Sequence, residues 1–123
     1  MLTEAQQERY ARHLLLDDFG GEGQERLLAS AVHVEGTGVA ALWAARYLAA
    51  SGVGCLEVED ARWEVELKGL GPGVDVRIGQ LLRDELRDVR VVQLVHAPEG
   101  ETPAESAMNG AQAALETVRK LSR

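Results

Sequence analysis

The sequence predicts an α/β domain: a short, mostly parallel sheet with helices mainly on one face and an N-terminal helical arm. Three observations lead there. Short segments of alternating apolar and polar residues are interleaved with stretches of helical period, the order that produces parallel strands joined by crossover helices. Two glycines, Gly36 and Gly38, stand between the first such strand and the helix after it, where a tight turn needs a residue free of Cβ. A length of 123 residues suits one hydrophobic core rather than two, so residues 1–123 are read as a single domain.

Each element has its own signal. Thr3–Gln6, "TEAQ", has the spacing of a capping box and opens a helix expected over 4–14. "DDFGGEG", 17–23, interrupts it, and a short helix is expected over 24–29. Residues 32–35 form the first strand. The helix expected over 38–50 carries Val39, Leu42, Trp43, Arg46, Tyr47 and Ala50 at helical spacing, with Gly52 just past its end. "CLEVED", 55–60, is the second strand, and "RWEVEL", 62–67, alternates cleanly enough to read as a third. "GLGPG" is a turn cluster. A helix is expected over 76–88 and a strand over 89–97. The closing helix has Thr102 as its cap, Pro103 in its first turn and Glu105 three residues beyond the cap. Its apolar stripe is Ala107, Ala111, Ala114, Leu115, Val118 and Leu121.

Composition narrows the function classes. A formal net charge of −7 argues against nucleic acid, whose phosphates reward basic surfaces. No apolar run reaches a membrane span and the first residues lack an apolar signal core, so the expected compartment is the cytoplasm. The single cysteine, Cys55, excludes an internal disulfide or a cysteine zinc cluster and reads as a small core residue. His13, His33 and His96 show no close pairing, so a metal site would have to be mostly carboxylate. His33, Glu35, Glu57 and Glu59 could form such a set if their strands are neighbours, but they read as solvated sheet-face charges, and no metal is expected. Glutamates alternate with apolar residues at Glu35, Glu57, Glu59, Glu64 and Glu66. That pattern predicts one sheet face under helices and the other acidic, either open or against a partner.

The block "RYARHLLLDDFGGEGQERLLASAVHVEGTGVAALWAARYLAASGVGCLEVED", residues 9–60, resembles the opening of the ThiF/MoeB/HesA family, relatives of the adenylation domains of ubiquitin-activating enzymes. It has the Arg-Tyr-x-Arg helix, the glycine turn, and "YLA" with "GVG" before a strand that ends in aspartate. "NGAQAALETVRKL", 109–121, is similar to a later helix of that family. The resemblance implies a Rossmann-like fold and ATP-dependent, magnesium-assisted adenylation of the C-terminal glycine of a ubiquitin-like or sulfur-carrier protein, in a dimer. It puts Gly36 and Gly38 on the first two glycines of the phosphate turn, Asp60 on the aspartate that holds the ribose, and Arg12 on an arginine that reaches across the dimer to the nucleotide.

The sequence departs from that pattern elsewhere. Val39 and Ala41 stand at the third and fourth glycine positions. "ARWEVELKG" replaces the Asp and Asn-Leu-x-Arg-Gln run that supplies phosphate contacts. Gly36 and Gly38 therefore read either as a phosphate turn or as a plain strand-to-helix turn. Asp60 reads as a ribose ligand or a turn former, and Arg12 as a nucleotide ligand or a helix-end partner of Asp17 or Asp18. The expectation is a truncated, degenerate relative: no catalytic residues, no cofactor of its own, and a self-associating binding or scaffold role, as a dimer. The alternatives are residual ATP or AMP binding, or docking onto a full-length relative.

Overall fold

The computed structural model describes residues 20–79 and 91–122. Among these, the chain runs α1 (Gly20–Leu28), β1 (Ser30–Val34), α2 (Val39–Ser51), β2 (Cys55–Val58), a 3-10 turn (Ala61–Trp63), α3 (Glu64–Leu70), β3 (Asp75–Ile78), β4 (Val91–Val95) and α4 (Pro103–Ser122). The four strands form one sheet in the order β3-β2-β1-β4, every neighbouring pair parallel. The α/β expectation therefore holds, with β1 and β2 in the middle of the described sheet. The helix expected over 4–14 and Arg12 lie outside the described residues.

One core joins the sheet to all four helices. Val32, Val34, Leu56, Val58 and Val76 meet Leu27 of α1, the alanines and Leu48 of α2, Leu67 of α3, and Ala114, Val118 and Leu121 of α4. Small side chains let the helices approach closely. A Cβ on Gly110 of α4 would come within 2.3 Å of the Ala40 carbonyl oxygen and 2.9 Å of the Ala44 nitrogen. Glycine at 110 therefore sets the α2–α4 distance. This contact also corrects the stripe expected on α4: Ser106, Gly110, Ala114, Thr117, Val118 and Leu121 are buried, whereas Ala107 and Ala111 are only partly covered. Thr102 caps α4 as expected, its hydroxyl accepting from the Glu105 N–H at 3.1 Å.

The end of α2 also follows its signal, Gly52 taking φ 97° in the left-handed region. Other boundaries shift. The first strand is 30–34 rather than 32–35, so Glu35 falls past its end. The short helix is Gly20–Leu28, and the last strand ends at Val95 rather than at 97, residues 89–90 lying outside the described residues.

Two elements differ in kind. "RWEVEL" is not a strand: 61–63 make a 3-10 turn and 64–70 an α-helix. Its alternation satisfied period two, but Trp63 and Leu67 are also four apart, and they are the pair that is buried, while Val65 is 84% exposed. Residues 76–78, placed at the start of a helix by their sequence, belong instead to β3, which pairs with β2 from Cys55↔Asp75 to Val58↔Ile78. The rest of that expected helix lies outside the described residues.

The acidic sheet face needs correcting too. Strand alternation puts Ala31, His33, Cys55 and Glu57 on the face away from the main core, yet all four are buried, Glu57 at 1% exposure. Glu35 and Glu59 escape burial because they lie beyond the ends of β1 and β2, at the carboxyl edge of the sheet.

Candidate functional site

In an open parallel sheet, ligands bind outside the carboxyl ends of the strands, where strand order reverses. Here that point lies between β1 and β4. A cleft of about 500 Å³ opens there, lined by His33, Glu35, Gly36, Glu59, Gly79 and His96. Gly36 leaves β1 with φ 93°, a conformation that side chains with a Cβ rarely adopt. Gly38 is the N-cap of α2, and its carbonyl accepts the first helical bond from Leu42 at 3.0 Å.

The turn exposes backbone N–H groups at a helix N-terminus, the geometry that attracts an anion. Its donors are already engaged by the chain itself. Gly36 N–H donates to Glu59 Oε2 at 2.5 Å, and Ala40 N–H donates to Glu99 Oε1 at 2.9 Å. A Cβ at Gly38 would lie 2.1 Å from that same Oε1. The hollow left by the glycine is thus filled by a carboxylate. A phosphate does not fit the turn as it stands, because it would have to displace Glu99 and approach Glu59, whose charge repels it.

Behind the turn lies a buried pair. The parallel register sets His33 opposite Glu57, and His33 Nδ1 is hydrogen-bonded to Glu57 Oε1. The other ring nitrogen, Nε2, lies 3.8 Å from Glu59 Oε2 and faces the cleft. At the cleft's outer rim, His96 Nδ1 stands 3.6 Å from Glu35 Oε2, both side chains well exposed. No group of three His, Cys, Asp or Glu side chains among the described residues is placed to hold a metal ion, and Cys55 is a buried free thiol.

Asp60 does not line the cleft. Its carboxylate accepts from the Arg62 backbone N–H at 2.9 Å and from the Arg62 guanidinium at 2.7 and 3.0 Å, capping the 3-10 turn. The Arg62 side-chain hydrogen bonds, more than its backbone bond, hold the Asp60 pKa below the ordinary 3.8. Of the four residues singled out from the sequence, Gly36 borders the cleft and Gly38 forms the adjoining turn, Asp60 is turned to Arg62, and Arg12 lies outside the described residues.

Sequence reasoning missed Glu99, which sits in the irregular connector before α4 with nothing local to mark it. It set Glu59 and His33 together only as sheet-face charges or a cation set, not as neighbours of the glycine turn. Their convergence on Gly36 depends on β2 lying beside β1.

No family model matches the chain. Individual relatives do. "Adenylyltransferase and sulfurtransferase MOCS3-2" of Zea mays is 53% identical over 62 residues, which are 50% of this chain and 13% of that protein. "Probable molybdopterin-synthase adenylyltransferase" of Gracilaria tenuistipitata var. liui is 51% identical over 59 residues, 48% of this chain and 17% of that one. "Sulfur carrier protein ThiS adenylyltransferase" of Escherichia coli (strain K12) is 48% identical over 52 residues, 42% of this chain and 21% of that protein. The matched stretch is thus about half of this chain and less than a quarter of each relative. Identity near one half over such a stretch, joined to the parallel sheet and its glycine turn, makes about half of this chain similar to adenylyltransferases of the ThiF/MoeB kind.

Proposed function

We propose that this chain is a family member that does not adenylate, and that it acts as a self-associating binding or scaffold domain. One observation carries the reading: Glu59 and Glu99 occupy the backbone donors of the glycine turn that a nucleotide phosphate would need. The Asp60–Arg62 pair supports it, since the carboxylate that the family resemblance assigns to ribose is engaged within its own turn. The relatives are named as adenylyltransferases of molybdopterin synthase and of a sulfur carrier. The partner of this chain is accordingly a ubiquitin-like or sulfur-carrier protein, a second copy of itself or a longer relative, in the cytoplasm. Pyrophosphate exchange into ATP, assayed with a sulfur-carrier protein ending in Gly-Gly, should stay at background. Exchange above background would overturn the reading. Light scattering after gel filtration should give twice the mass of 13.3 kDa.

A second reading, residual ATP or AMP binding, is favoured by the cleft at the switch point beside Gly36. It requires a rise in melting temperature with millimolar nucleotide, lost in Arg12→Ala. Neither change is expected under the first reading.

A further inference from the structure

We propose that two copies of this chain pair through the open edge of β4, the strands running antiparallel about a two-fold axis at Leu94 and the two α4 helices meeting beside them. The inference rests on the self-associating part of the proposed function and adds to it the surface and its register.

The described sheet ends at β3 on one side and at β4 on the other. An edge strand invites pairing with another chain unless charge, proline or a cover blunts it. β3 carries charge, Arg77 Nε lying 3.2 Å from Asp75 Oδ2. β4, "VVQLV", has neither a charge nor a proline, and its Leu94 is 48% exposed.

The backbone of an extended strand directs its N–H and C=O groups to alternate sides, residue by residue. Val95 faces β1, its carbonyl accepting from the Glu35 N–H at 2.9 Å. Leu94, one residue earlier, therefore presents both groups outward. Its carbonyl accepts from the side-chain amide of Gln93 at 3.2 Å, and its N–H has no acceptor among the described residues. About a two-fold axis, Leu94 of one protomer and Leu94 of its partner exchange N–H···O=C bonds, and the open donor is satisfied in both.

Charge selects the occupant. A groove of about 210 Å³ lies between β4 and α4, bordered by Leu94 and His96 on the strand side and by Ala113, Glu116, Thr117 and Lys120 on the helix side. Glu116 and Lys120 are exposed and one helical turn apart, yet neither joins an ion pair among the described residues. The operation that sets β4 against its copy also reverses α4 against its copy at the level of this groove. Glu116 of one protomer then faces Lys120 of its partner, and the converse holds by symmetry, the self-complementarity that a two-fold interface requires. An unrelated extended peptide would gain the backbone bonds without this match of charge.

Sedimentation equilibrium over a concentration series tests this. The unaltered chain should dimerise. Leu94→Pro, which removes an outward N–H and none that faces β1, should weaken dimerisation at least about tenfold. Glu116→Lys sets like charges across the axis and should weaken it by a similar factor. Adding Lys120→Glu to that variant exchanges the two signs and should restore dimerisation, which keeps the test decisive if the proline variant folds poorly. Unchanged dimerisation in folded Leu94→Pro, or a loss in Glu116→Lys that Lys120→Glu does not repair, would overturn the proposal while self-association stands. A monomeric unaltered chain would overturn both.

Discussion

At the end of β1 the chain turns through Gly36 and Gly38, and the N–H groups it exposes are taken by Glu59 and Glu99, 23 and 59 residues away from their partners. At the end of β2 it turns through Asp60, whose carboxylate is taken by Arg62, two residues on. Both turns are strand ends that the family resemblance assigns to a nucleotide, and both are satisfied internally. The first depends on the sheet and on the β4–α4 connector being in place. The second could form in a short peptide. Their responses to mutation should therefore differ in reach as well as in size.

The largest effect is expected beneath the first turn. His33→Ala leaves the buried Glu57 carboxyl without its hydrogen-bond partner and should cost about 3 kcal/mol, the upper end of the scale for stranding a buried hydrogen-bonding group. It would appear as a lower urea midpoint, with the loss reduced in the His33→Ala, Glu57→Leu double variant. Next comes Gly110→Ala, which pushes α4 and the connector carrying Glu99 away from α2. About 2 kcal/mol of overpacking is expected, and hydrogen exchange at Ala40 should quicken if the Glu99 contact loosens with it. Gly36→Ala has room for its Cβ, the nearest outside atom being 3.7 Å away, but must hold φ 93°. About 1 kcal/mol of backbone strain should follow, read from thermal melts.

The smallest effect belongs to the second turn. Arg62 is largely exposed, so Arg62→Ala should leave neutral-pH stability nearly unchanged. Because Asp60 has its folded pKa lowered, its contribution is present above 3.8 and is lost as the pH falls through the lower folded value. Melts of Arg62→Ala and the unaltered chain should therefore draw together below that range. Equal sensitivity of the two turns would remove the contrast between them.

Sequence signals succeeded where the cause was local. Gly52 ended α2 through its left-handed φ, and Thr102 began α4 by capping it. They failed where two periods fitted the same letters, as in "RWEVEL", whose Trp63 and Leu67 serve a helix face as well as a strand. They failed again at residues 76–78, where the decisive interaction was pairing with β2. In the site, the glycines were legible because turn chemistry marks them. Glu99 was not, because no spacing rule relates a connector residue to a helix N-terminus 59 positions earlier.

The sequence by itself determined the glycine turn, the end of α2, the cap of α4, the α/β class and, through residues 9–60, the resemblance to the ThiF/MoeB/HesA family. Only the tertiary structure decided what the turn holds. Strand order brought Glu59 beside Gly36, register brought Glu57 against His33, and the packing of Gly110 on Ala40 set α4 and its connector close enough for Glu99 to reach the turn. The physical reason is that a backbone donor is indifferent to where its acceptor lies in the chain. Local periodicity encodes the donor's conformation, and only the folded arrangement selects the carboxylate that answers it.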